Sequence, residues 1–149
     1  IGAVKYFDLS HNRHSDITFE WDSVLNFEGN TGPYLQYAHA RIKSILRKAG
    51  VEYGPVESGF VGDSERPLLQ YLARFSDVVK DSAITYYPSQ ICDYLYFLAS
   101  KFNSFYESSP VLNEPDESVR TLRLNLIVGV AQVLKNGLGL LGVEAPEEM

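Results

Sequence analysis

The chain has 149 residues, 45% of them apolar and 21% charged, enough for one ordinary globular domain with a proper core. No run of ~18 uncharged apolar residues occurs, which excludes a membrane-spanning helix. A net charge of -6 argues against holding nucleic acid mainly by global electrostatics, and the lone cysteine, Cys92, excludes an internal disulfide.

Residues 1 to 31 read as a connecting piece that leads into a domain spanning 32 to 149. The start, Ile1-Gly-Ala-Val-Lys, has neither an initiator methionine nor the basic-then-apolar pattern of a signal peptide, so a cut inside a longer protein and a cytoplasmic location are expected. The first eight residues read as a helix end with Ala3, Val4 and Phe7 apolar, followed by a polar turn at Ser10 to Ser15. Ile17, Phe19 and Trp21 alternate with Thr18 and Glu20, a short strand signature. Asp22 is placed to cap a brief helix through Phe27, and Gly29 to Gly32 break the chain.

A helix is predicted from Pro33 to Ala49, because proline suits its first turn and Gly50 its end. Leu35, Ala38, Ile42 and Ile45 supply its apolar stripe. Glycines 50, 54, 59 and 62 with Pro55 predict a loop. Leu68, Leu69, Leu72, Phe75, Val78, Val79 and Ala83 then recur at helical spacing, with Ser76 and Asp77 as a cap between two short helices. Pro88 opens the clearest helix, where Ile91, Leu95, Leu98, Phe102 and Phe105 step by four, three, four and three residues to an end near Glu107. After an acidic loop, Glu117 or Ser118 begins a last helix whose buried stripe is expected at Val119, Leu122, Leu126, Val130, Val133 and Leu134. Gly129 and Gly137 would weaken it by roughly 1 kcal/mol each against alanine, so close approach to a neighbouring helix is the expected compensation. The fold class is therefore all-α, a helical bundle of about four to five helices.

Tyr34, Tyr37 and Arg41 are three and four residues apart, which puts them on one helix face. Two aromatic rings beside a guanidinium form a surface able to stack on unpaired bases and hold phosphate. The same spacing also suits core aromatics whose hydroxyls reach the surface. Arg41, Lys43, Arg47 and Lys48 make a local basic cluster on an otherwise acidic chain, suited to a few phosphate contacts or to the negative end of a helix dipole. Tyr106 ends the long apolar helix beside a loop, where a ring can face a ligand. Tyr86, Tyr87, Tyr94, Tyr96 and Phe97 read as core or core-edge rings. Cys92 reads as a buried apolar residue.

Other chemistry is missing. His11, His14 and His39 lack the cysteine or histidine neighbours of a metal site and read as surface or hydrogen-bonded side chains. The glycines after residue 50 lack the lysine and serine or threonine of a phosphate loop, and no serine sits in a nucleophile elbow.

The segment Glu28-Gly-Asn-Thr-Gly-Pro-Tyr-Leu-Gln-Tyr-Ala-His-Ala-Arg-Ile42 resembles the start of the anticodon-binding domain of arginyl-tRNA synthetases. Gly2 to Ser10 and Ser15 to Asp22 resemble the family's exit from its catalytic domain, and Ala131 to Val143 with Pro146-Glu-Glu-Met149 resemble its last helix and terminus. The resemblance implies an anticodon surface made of Tyr34, Tyr37, Arg41, Tyr106 and Met149, with the tyrosines and the methionine stacking on splayed bases. It implies arginine tRNA and the catalytic domain of the same chain as partners, with no DNA and no membrane. It also implies that ATP with magnesium serves the full-length ligase, because neither class I signature motif occurs in these 149 residues and this fragment is expected to bind without a cofactor and without aminoacylating. Two other readings remain open: a helical protein-interaction module without RNA affinity, and the anticodon domain of another class I synthetase.

Overall fold

The computed structural model describes residues 1–50 and 61–149, so most of the loop expected after Gly50 lies outside the described residues. Seven helices are present among them: α1 (Gly2–Ser10), α2 (Trp21–Val24), α3 (Gly32–Ala49), α4 (Arg66–Ala73), α5 (Phe75–Thr85), α6 (Ser89–Ser108) and α7 (Glu117–Leu140). The five from α3 onward form the expected all-α bundle. Helix α6 is its axis, packed against α1, α3, α4, α5 and α7, while α3 and α7 lie side by side. Ile91, Leu95, Leu98, Phe102 and Phe105 are all buried, as their spacing requires.

The helix ends follow local chemistry. Thr31 caps α3 by accepting the Tyr34 amide at 3.3 Å, Pro33 occupies the first turn, and Gly50 closes the helix at φ +61°. Asp116 caps α7 through the amides of Ser118 and Val119. At the far end of α7, Gly142 is left-handed and the Val143 amide returns to the Leu138 carbonyl at 2.9 Å. That Schellman turn, with Val143 buried, sends the last residues back across α3.

Several expectations need correction. The alternating segment 16–20 pairs with no strand; it is an open stretch ending in extended backbone at Glu20, where Phe19 meets Trp21 edge to face at 4.8 Å. Helix α2 starts at Trp21 behind Glu20 and ends at Val24, so Asp22 sits in its first turn and does not cap it. The break between α4 and α5 falls at Arg74, ahead of Ser76 and Asp77, and neither residue caps α5. In α1 the buried residue is Tyr6, whereas Val4 is exposed; the Tyr6 hydroxyl lies 2.5 Å from Asn30 Oδ1 and 3.0 Å from the Cys92 carbonyl, which ties α1 to α6. In α7 the buried face carries Leu124, Leu126, Ile127, Val130, Ala131, Leu134 and Leu138, with Val119, Leu122 and Val133 only half-buried. That face is wide because α7 packs on α3, α4 and α6 together.

Cys92 is fully buried, and burial with the nearby Asp93 carboxylate pushes its thiol up to about 12. It is an inert core residue. Two rings expected at the core edge are in fact open to solvent: Tyr86, which ends α5 at φ +57°, and Phe97 on α6.

Candidate nucleic-acid interface

Helix α3 divides its circumference into three faces. Leu35, Ala38, Ile42 and Ile45 enter the core. Gln36, His39, Lys43 and Arg47 form a second face that holds the chain's last residues. The Gln36 amide donates to the Glu144 carbonyl at 2.8 Å, and His39 Nδ1 lies 2.7 Å from the Pro146 carbonyl. Lys43 pairs with Glu147 at 3.3 Å, and Arg47 reaches both the Glu147 carbonyl and the Glu148 carboxylate. The third face carries Tyr34, Tyr37 and Arg41.

The tail face explains why Met149 has a defined place. It leads the terminus around α3 to a depression of about 370 Å³, where Met149 joins Tyr37, Arg41, Ser44 and Arg47. The small side chains of Ala40 and Ser44 leave the space open. Tyr37 is 48% exposed and Met149 63% exposed, so both present apolar surface to solvent. On its other side Tyr37 touches Phe27 edge to face at 6.4 Å.

Arg41 connects this depression to the rest of the predicted residues. Its guanidinium stands 5.6 Å from the centre of the Tyr106 ring, a cation–π geometry, and its Nη1 donates to Asn103 Oδ1 at 3.2 Å. Asn103 Nδ2 in turn donates to the Tyr34 hydroxyl at 3.1 Å. Tyr34 and Tyr106 are half-buried, leaning on Tyr96 and Phe102 respectively, so they are edges of the core and not freely exposed rings. Burial pushes the Tyr34 hydroxyl above its usual range, with the Asn103 bond and the Arg41 charge opposing in part.

All five residues singled out in the sequence thus meet around Arg41. Asn103 is the member that sequence reasoning misses. Its one signal is a position three residues before Tyr106, which places both on the same side of α6. The basic cluster is less available than its sequence suggests, because Lys43 and Arg47 are engaged by the terminal acids. His39 is buried and hydrogen-bonded, while His11 sits in the open against Phe7.

Comparison with known proteins identifies the family of the chain. The DALR anticodon binding domain family matches residues 35–149. An arginine–tRNA ligase of Alteromonas mediterranea is 49% identical over the whole chain, and one of Edwardsiella ictaluri is 44% identical. This chain spans 26% of the length of each. Among solved structures, the arginyl-tRNA synthetase of Thermus thermophilus superposes with a TM-score of 0.92 at 39% identity, covering 99% of this chain and 26% of that one. That of Plasmodium falciparum gives 0.86 at 31% identity, with the same coverage of each chain. The chain belongs to the DALR anticodon-binding domain family, in the form found in arginine–tRNA ligases.

Proposed function

We propose that this chain binds the anticodon loop of arginine tRNA on the surface formed by Tyr34, Tyr37, Arg41, Tyr106 and Met149, as the recognition part of an arginine–tRNA ligase. The observation that carries the proposal is the convergence of Tyr37 and Met149 with Arg41 in one depression, flanked by Tyr106 against the same guanidinium and by Tyr34, which is linked to it through Asn103. Open aromatic and thioether surface gives unpaired bases something to stack on, and a guanidinium beside it holds a base edge or a phosphate. Every arginine anticodon has cytosine at its centre, so one fixed pocket serves them all.

In the full-length ligase, the ATP- and magnesium-dependent steps belong to a catalytic domain outside these residues, working in the cytoplasm. This chain by itself forms no arginyl-adenylate, which an arginine-dependent pyrophosphate exchange assay checks. The decisive experiment titrates the chain with an arginine-tRNA anticodon stem-loop and with the same stem-loop altered at the central cytosine. Tighter binding of the unaltered loop supports the proposal, and equal binding overturns it. With Lys43 and Arg47 held by the terminal acids, the slope of log affinity against log salt is expected to be shallower than for a protein making ~6–10 phosphate contacts.

A further inference from the structure

We infer that Asn103 is a positioning residue that sets the hydrogen-bond polarity of this surface, orienting the Tyr34 hydroxyl as a donor toward the acceptor edge of a bound base. The inference rests on the anticodon-loop reading and extends it to a residue on a different helix. It follows from which atoms can donate. A guanidinium has only N–H groups, so the Asn103 atom 3.2 Å from Arg41 must be the carbonyl oxygen, and the amide has one orientation. Its NH2 group therefore faces Tyr34 and donates to the hydroxyl oxygen at 3.1 Å. The Tyr34 oxygen is an acceptor in that bond, which leaves its own hydrogen to point elsewhere. No acceptor for that hydrogen occurs among the described residues, and the desolvated phenol keeps it at neutral pH.

Arg41 is held in the same way. One N–H is committed to Asn103 and one face is turned to Tyr106, while its other N–H groups make no hydrogen bond among the described residues. One amide thus leaves two neighbouring side chains that offer hydrogens, while the Glu148 carboxylate that borders the depression is paired with Arg47. Two such donors fit a pair of neighbouring acceptors on a base edge. Cytosine presents an unprotonated ring nitrogen beside a carbonyl oxygen, whereas uracil carries a hydrogen on that ring nitrogen and would meet the surface donor to donor.

The test uses this chain with stem-loops carrying cytosine or uracil at the central anticodon position, and reads the ratio of the two dissociation constants. Two variants and their combination are compared: Tyr34→Phe, which removes the hydrogen, and Asn103→Asp, whose carboxylate still pairs with Arg41 but captures that hydrogen. Each single change is expected to lower the ratio about tenfold, the worth of one hydrogen bond in discrimination. The double variant is expected to fall no further than either single one, because both act through the same hydrogen. An unchanged ratio in Tyr34→Phe overturns the inference, whatever the folding of the aspartate variant. So does an Asn103→Asp protein that binds both loops more weakly with the ratio intact, the result expected if Asn103 acts only through charge or packing. Failure of the wild-type chain to prefer the cytosine loop is the separate result that overturns the anticodon reading itself.

Discussion

His39 Nδ1 lies 2.7 Å from the carbonyl oxygen of Pro146, so a fully buried ring on α3 holds a peptide 107 residues away in the chain. A carbonyl only accepts, which fixes the hydrogen on Nδ1. The bond is the inner fastening of the terminal segment; Lys43 and Arg47 form the outer, solvent-facing one. Surface ion pairs of that kind contribute about 0–1 kcal/mol, so the buried bond, together with the apolar packing of Val143, is the more important anchor for the position of Met149.

This arrangement makes the chain sensitive to mild acid. Burial lowers the pKa of His39, with the Pro146 bond raising it and Lys43 lowering it. The folded state therefore favours the neutral ring, while the unfolded chain takes up a proton near the ordinary value of about 6.5. Stability from this group is present in full above that value and is lost as pH falls through it toward the depressed folded value. Thermal midpoints measured between about pH 7.5 and 5.5 are expected to decline with falling pH. His39→Asn, which keeps a donor but cannot be charged, is expected to flatten that decline. A wild-type chain with the same midpoint across this interval contradicts the assignment.

Of the three tyrosines at the surface, Tyr37 gives the cleanest separation of binding from folding. It is open to solvent, so Tyr37→Ala is expected to remove roughly 1–3 kcal/mol of stem-loop binding and to leave the thermal midpoint nearly unchanged. Leu98 is fully buried on α6, and Leu98→Ala is expected to lower stability by about 2–5 kcal/mol. Tyr34→Ala and Tyr106→Ala should fall between these extremes, since both rings also pack on the core. Titration and thermal denaturation of the four variants check the order. A Tyr37→Ala chain that melts as early as Leu98→Ala would show that the ring is structural.

The bundle was legible in the sequence wherever large apolar residues recur at a single helical spacing. On α6 every residue of the stripe from Ile91 to Phe105 is buried, with Tyr94 and Ala99 widening that face, and on α3 the core stripe and the end at Gly50 were equally plain. Helix α7 was harder because apolar residues crowd most of its circumference, so helical spacing allows more than one stripe and does not choose Leu124 and Ile127 over the half-buried Val119, Leu122 and Val133. The site divides along the same line. Tyr34, Tyr37 and Arg41 share a helix and are found by spacing, Tyr106 is marked by its place at a helix end beside a loop, and Met149 comes from the resemblance alone. Asn103 depends on contacts spanning 62 and 69 residues, which no local pattern encodes.

The two helical glycines of α7 provide a test of packing. A β-carbon built on Gly137 would stand 2.5 Å from a methyl of Leu95, itself buried and unable to move aside cheaply. At Gly129 the nearest atom, on Leu72, is at an ordinary 3.5 Å. Gly137→Ala is therefore expected to cost about 1–3 kcal/mol through overpacking. Gly129→Ala is expected to be neutral or to stabilise the helix by up to about 1 kcal/mol. Chemical denaturation of both variants checks the contrast, and only the first requires the α6–α7 contact to be as close as described.

Arg123 of α7 fixes the other end of the bundle by a different means. Its Nε donates to Glu65 at 2.7 Å, and its Nη1 donates to both Glu114 and the Pro110 carbonyl at 2.7 Å. All three ionised side chains are largely shielded from water, so the guanidinium joins the start of α4, the acidic loop and α7 through one charge. Burial raises the Glu65 carboxyl, but hydrogen bonds from Arg123 and Ser64 outweigh it and hold the group below its usual range. Arg123→Ala leaves two shielded carboxylates without their cation and is expected to cost about 3–5 kcal/mol. Arg123→Met, which fills the space without the charge, should destabilise similarly, because the penalty lies in the stranded acids. Combining it with Glu65→Gln should recover part of the loss. A wild-type acid limb is also expected: the Glu65 contribution is present above the ordinary carboxyl range and is lost as pH falls through the depressed value. Denaturant midpoints at neutral pH for the three variants decide the matter, and an Arg123→Ala chain as stable as wild type would mean that the acids are better solvated than their burial indicates.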